Sequence, residues 1–280
     1  AQHASVEALR LSGPPPGWTG KVHAMTRGAE RADGDWLLFT DADVRHHRGG
    51  VGAMRALAET RSLDLVSTAA VPTKPWLPWS LVTPATFELI LCVAAPDGAG
   101  RGRALAVGHF LLVRRRLYER VGGYEALRDS TVDDVDFATL ARDHGARTAM
   151  AWSDGWLTSD QLRSWGALWR SWRKSLAGGT DLPGLALVVG GAMITMAGAL
   201  PWLLAVRFAA EGRVLGLALA LLASTAQALA RAPIDRRLGL PLGFTLSAGL
   251  GWIPLGGILI DAGLRDAFGR GPAWKGRTAP

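Results

Sequence analysis

The sharpest chemical feature of the chain is Thr40-Asp41-Ala42-Asp43-Val44, two carboxylates at i and i+2 closing a short apolar run. In an ideal strand alternate side chains share a side, so both acids are expected on one face. Carboxylates that close repel unless protons or a cation compensate. A hard divalent ion, Mg²⁺ or Mn²⁺, answers that need and can bridge a diphosphate. The bland account of the same residues is a solvated acidic turn.

A second acidic pair, Asp133-Asp134, opens a helical pattern in Val132-Asp133-Asp134-Val135-Asp136. Acids at a helix start can simply cap it and complement its dipole. The chemical reading is a carboxylate aimed into a cleft as general base toward a hydroxyl. The loop Pro14-Pro15-Pro16-Gly17-Trp18-Thr19-Gly20-Lys21 ends in a cation and leads into a helix over Val22 to Arg31. It could present Lys21 and backbone N–H groups to phosphate. It lacks the spacing of a P-loop. Gln161-Leu162-Arg163-Ser164-Trp165, followed by Trp169, Trp172, Arg173 and Lys174, reads as an amphipathic helix with Trp at the headgroup level of a membrane. The histidines show no metal-ligand spacing, and Gly98 to Arg103 reads as a mobile glycine-rich loop.

These residues need a scaffold. Asp35 to Thr40, Leu63 to Ala70 and Leu105 to Val113 have buried-strand patterns. Helical spacing runs through Val51 to Thr60, with Val51, Met54, Leu57 and Ala58 on one face. It recurs from Arg114 to Val121, closed by Gly122-Gly123, and from Asp133 to His144, with Val135, Ala138, Leu140 and Ala141 inward. Alternating strands and helices predict an α/β domain with a largely parallel sheet, whose ligands sit beyond the carboxyl ends of strands.

The second part of the chain is different. Leu182–Val206, Val214–Ala230 and Leu238–Ile260 carry no charge and suit membrane helices. Pro201, Pro241 and Pro254 should kink or shorten them. The expected organisation is an α/β domain over 1–158, an interfacial helix over 159–181, membrane helices over 182–264 and a basic tail over 265–280. The Arg163–Lys174 cluster places the first half of the chain in the cytoplasm by the positive-inside rule. A third crossing would leave the basic tail outside, so Leu238–Ile260 is the candidate for a re-entrant or interfacial segment. The net charge of +7 fits an anionic membrane face better than nucleic acid, because the basic residues gather just before the apolar half. A single cysteine, Cys92, excludes a disulfide framework and a cysteine zinc site.

Taken in order, Gly17 to Lys21, Gly34 to Val44, Gly108-His109-Phe110-Leu111-Leu112-Val113-Arg114-Arg115, Tyr118 through Gly123, Asp133-Asp134 and Trp274-Lys275-Gly276-Arg277 resemble family 2 glycosyltransferases of the GT-A fold. The nearest look-alikes are membrane enzymes associated with carotenoid and hopanoid pathways. The resemblance implies inverting transfer from a nucleotide-sugar, a UDP-sugar first among them, to a hydroxyl of a lipid or polyisoprenoid at the cell membrane. It implies that Asp41 and Asp43 hold the sugar-diphosphate, Asp43 chiefly through Mg²⁺ or Mn²⁺, with Lys21 on the donor side. It makes Asp134 the base, with Asp133 next. Gly108 and His109 fall on the acceptor-side strand. Gln161 and Trp165 have the spacing of the family's QxxRW motif, with Arg163 one place early. The family's first strand and its nucleotide-contacting acidic pair have no counterpart after Ala1, so the expectation is a truncated, partial GT-A sheet lacking its first strands. Two other readings stand beside this one. One is a haloacid dehalogenase-type phosphatase built on Asp41 and Asp43, for which Lys74 is the available lysine. The other is an inactive truncated membrane protein.

Overall fold

The structure is a computed structural model describing residues 6–93, 103–180, 182–269, 273–274 and 277–278. The expected Gly98–Arg103 loop lies, apart from Arg103, outside the described residues, as do Lys275 and Gly276 of the tail.

The chain enters helix α1 (Gly20–Arg31) behind Thr19, whose hydroxyl accepts the backbone N–H of Val22. Strand β1 (Trp36–Phe39) follows, then the short β2 (Val44–His46), α2 (Gly50–Thr60), β3 (Leu65–Thr68) and α3 (Leu77–Val93). Next come β4 (Phe110–Arg114), α4 (Arg115–Arg120), α5 (Asp133–Asp143), β5 (Thr148–Ala151) and β6 (Leu157–Ser159). Among the described residues the main sheet has four strands in the order β1-β4-β3-β5, and β2 pairs separately with β6. The expected largely parallel sheet is corrected to a mixed one. β4 runs antiparallel to both β1 and β3, and β3 and β5 are parallel. Strand β4 starts only at Phe110, and residues 105–109 approach it as a loop.

Period-2 alternation explains the two-sided burial of β4. Leu111 and Val113 face α1, α4 and α5 with Val22, Leu117, Phe137 and Ala141. Phe110 and Leu112 face α2 with Met54 and Ala58. Val51 is exposed, so α2 buries a narrower stripe than its spacing predicts. Phe137 is fully buried and supplies bulk that the small inward residues of α5 lack.

Helix α6 (Trp165–Gly178) leads into α7 (Gly184–Ala210), α8 (Val214–Arg237) and α9 (Ala248–Ala267), with two short strands, β7 (Ala273–Trp274) and β8 (Arg277–Thr278), after them. Among the described residues three helical stretches are long and apolar enough to cross a membrane: Gly184–Ala210, Val214–Arg237 and Leu242–Ala267. The Leu238–Ile260 run is helical along most of its length. It forms a 3-10 turn and then one uninterrupted helix, α9, despite Pro254. Glycines set the α7–α9 contact: Gly184 faces Gly263, Gly191 faces Gly256 and Gly198 faces Gly249. A Cβ added at Gly191 would stand 2.6 Å from the Gly256 carbonyl oxygen. Such small-residue seams let backbones approach where lipid offers no hydrophobic drive.

Helix α3, read from sequence as part of the first domain, packs against α8 and α9. The fully buried Arg231 of α8 donates to Asp235 Oδ1 at 3.0 Å and to the carbonyls of Ser80 and Leu81, and Trp252 of α9 donates to Glu88 at 2.7 Å. A buried charge is tolerated when it is paired and hydrogen-bonded, as this one is.

Candidate active site

Strand polarity builds the site. β1 and β3 end where the antiparallel β4 begins, with Phe39 opposite Leu111 and Thr68 opposite Phe110. The residues just after β1, Thr40 and Asp41, therefore lie beside those just before β4, Gly108 and His109. The Thr40 hydroxyl donates to the His109 carbonyl at 2.8 Å and is 2.9 Å from His46 Nε2. The Gly108 N–H donates to Asp134 Oδ2 at 2.7 Å, which ties the start of α5 to the same edge.

Lys21 joins the two acidic motifs. Its Nζ is 3.1 Å from Asp41 Oδ1 and 3.0 Å from Asp133 Oδ2. Burial works against the Lys21 charge, but the carboxylates of Asp133, Asp41 and Asp134 more than offset it and raise its pKa. Asp133 is almost fully buried. Burial raises its pKa, opposed by the neighbouring Lys21 and assisted by the like charge of Asp134. Lys174 of α6 reaches the same field. Burial, assisted by the like charge of Lys21, lowers its pKa against the pull of Asp133, Asp134 and Asp41. Sequence reasoning placed Lys174 only at a membrane surface, because its spacing to Trp169 and Trp172 is that of an interfacial helix.

The paired acids of the Asp41-Ala42-Asp43 segment do not sit in a strand. They lie in the turn between β1 and β2, where the Val44 N–H donates to the Asp41 carbonyl at 3.3 Å. Asp41 is half-buried against Lys21, and Asp43 is exposed. The shared strand face is therefore corrected to a turn that splits the pair by exposure. Among the described residues no group of three or more His, Cys, Asp or Glu forms a ready metal cage.

A recess beside this cluster is lined by His109, Asp160, Gln161, Leu162, Arg163 and Trp79, among others. Gln161 thus lies near the expected acceptor strand. Trp165 does not join it: it opens α6, is exposed, and its ring lies 5.5 Å from that of Trp169. Arg163 is engaged with Asp160 at 2.8 Å. Lys74, the lysine a phosphatase would need, is exposed. The cation between the acids is Lys21.

The helix carrying Lys174 is held by α9. Trp169 Nε1 donates to Asp261 Oδ2 of α9 at 2.8 Å, and Arg173 bonds the same oxygen at 3.0 Å. At the far end of α6, Gly178 packs on Val132, which precedes α5.

Comparison with protein families matches residues 1–245 to the family described as Glycosyl transferase family 21. The motif resemblance named family 2, and the match instead names family 21. No curated protein matches the chain.

Proposed function

The chain belongs to glycosyl transferase family 21, and from that premise we propose that it is a multi-pass membrane glycosyltransferase of GT-A type. It moves a sugar, with inversion, from a nucleotide-sugar to a hydroxyl of a lipid or polyisoprenoid. A UDP-sugar is the first donor to test, and the catalytic part faces the cytoplasm of the cell membrane. The observation that carries this reading is the convergence of Lys21, Asp41, Asp133 and Asp134 at one sheet edge. A phosphatase reading has no comparable support, since the family matched is a glycosyltransferase family.

In this reading Asp134 takes the acceptor O–H proton. The acceptor oxygen bonds the anomeric carbon, and the bond from that carbon to the diphosphate breaks with its electron pair leaving on the diphosphate. The Gly108 N–H on Oδ2 orients the carboxylate. Lys21 supplies a fixed positive charge on the donor side, and Asp133 holds Lys21 in place. The donor set suits Mg²⁺ or Mn²⁺: two hard carboxylates, one of them exposed, with waters and substrate phosphates to complete the shell. Asp43 would hold the ion, assisted by Asp41. When bound, it supplies charge for the departing diphosphate.

The test is a panel of radiolabelled nucleotide-sugars incubated with membranes containing the chain and lipid extracts as acceptors. Labelled lipid is expected from at least one donor. Asp134→Asn should retain UDP binding and lose transfer by about 10²–10⁴-fold, the span of general-base catalysis. Retained turnover would move the base, with Asp133 next in line.

A further inference from the structure

His109 has a fixed protonation pattern. Its Nδ1 accepts the backbone N–H of Ala70 at 3.0 Å, at the end of β3. A ring nitrogen that accepts carries no proton, so in the neutral ring the proton is on Nε2. The backbone carbonyl of the same residue is fixed by Thr40, and its neighbour Gly108 is fixed by Asp134. Loop and ring are thus anchored at three points. Nε2 has no hydrogen-bond partner among the described residues, and His109 lines the recess together with Gln161. Arg163 and Asp160 neutralise each other there, so the recess offers polar contacts without net charge. One wall is Trp79 of α3, a helix that packs against α8 and α9.

We propose that the Nε2–H of His109 is a pre-set hydrogen-bond donor that receives an uncharged acceptor hydroxyl oxygen in this recess and turns its O–H toward Asp134. The donor leaves the acceptor's own proton free for Asp134, the carboxylate held by the N–H of the neighbouring Gly108. The lack of net charge favours an alcohol over a phosphate. The Trp79 wall points the rest of the acceptor toward the membrane helices. This assignment rests on the transferase reading and deepens it.

Two measurements on the full chain in lipid nanodiscs test it. Nitrogen NMR of ¹⁵N-histidine protein, with His109 assigned by difference from His109→Gln, should show an unprotonated Nδ1 and a protonated Nε2. Adding dioctanoylglycerol, a lipid alcohol, should move the Nε2 signal and leave Nδ1. A proton on Nδ1, or an Nε2 signal that ignores the alcohol, overturns the proposal. Transfer to lipid extract supplies the second readout. His109→Asn keeps an acceptor near Nδ1 and loses the reach of Nε2, and His109→Gln restores an amide donor at that reach. Transfer should fall about 10–100-fold in His109→Asn, the scale of one hydrogen bond to a reacting group, and recover in part in His109→Gln, with UDP binding unchanged in both. Equal transfer by the two variants refutes the donor role. A wild-type chain that transfers from no donor refutes the transferase reading instead, and the NMR measurement, which needs no turnover, then decides the binding role.

Discussion

Lys21 occupies the position where two acidic motifs, far apart in the chain, meet. Removing its charge leaves Asp41 and Asp133 facing each other without their cation, and the buried Asp133, whose pKa burial already raises against Lys21, should take up a proton more readily. Lys21→Met is expected to weaken UDP binding about 10–100-fold, the scale of a lost charge-assisted contact. Isothermal titration with UDP checks it, and unchanged affinity would remove Lys21 from the donor side. His109 makes a second prediction. Burial lowers its pKa below the ordinary 6.5, while Asp41, Asp134 and Asp43 raise it. Below 6.5 the unfolded chain then binds a proton that the folded chain resists, so stability is present above that pH and is lost as pH falls through it. His109→Gln should flatten this acid-side loss in thermal unfolding followed between about pH 5 and pH 7. His46, also lowered by burial, keeps part of it. The acids and Lys21 were legible because their chemistry is in the residue type. The exposure difference between Asp41 and Asp43 was not, because it depends on a turn that the strand pattern of residues 35–40 does not announce. The imidazole tautomer was not either, since it follows from a backbone contact across the sheet.

At the level of elements, the helices and strands that carry the site were readable from period and punctuation, and the pairing was not. β4 is as apolar as a parallel strand, so composition could not reveal that it runs antiparallel, and that reversal is what delivers Gly108 and His109 to the end of β1. Helix α3 escaped the period argument because it is apolar all round and interrupted by Pro84. The glycine seam, by contrast, left a signal that hydropathy overlooks. Gly184, Gly191 and Gly198 recur every seventh residue, as do Gly249, Gly256 and Gly263, and the two series meet in antiparallel register. Gly256→Ala would drive a methyl into the Gly191 carbonyl and the Thr195 hydroxyl. With backbone on one side, relief requires the helices to separate, at a cost of about 1–3 kcal/mol. Gly190→Ala, where nothing lies within 4 Å of the added carbon, is the matched control. A thermal unfolding series in nanodiscs should rank Gly256→Ala well below both wild type and Gly190→Ala. Equal stability of the two variants would mean that α7 and α9 do not pack through their glycines.

For the whole molecule, the question is how helices suited to a bilayer come to bear on a site at a sheet edge. α6 is the physical link. One side of it is fastened to α9 through Asp261, which accepts from Trp169 and Arg173 and also from Arg265 at 2.8 Å. Leu168 and Leu176 are buried in a core shared with α3, α7, α8 and α9, and Trp172 reaches Thr83 of α3 at 3.3 Å. The other side brings Lys174 into the field of Asp133, Asp134 and Asp41, and Gly178 against Val132. Asp261 reaches toward the site through α6, by holding two of its side chains. Asp261→Ala leaves Arg173, Arg265 and the Trp169 N–H without their shared acceptor, and partly buried groups left so pull toward water. α6 should loosen while the sheet and the Lys21 ion pairs stay in place. The expected signature is trypsin cleavage appearing at Arg170, Arg173 or Lys174 in nanodisc-embedded protein, together with UDP binding weakened by about tenfold, the scale of one charged contact. Asp261→Glu, which keeps the carboxylate, should recover most of both. Cleavage without any change in UDP affinity would show that α6 is an anchor alone and that Lys174 contributes nothing to the donor side. Weakened binding without cleavage would show that Asp261 acts on the site by some route other than this helix.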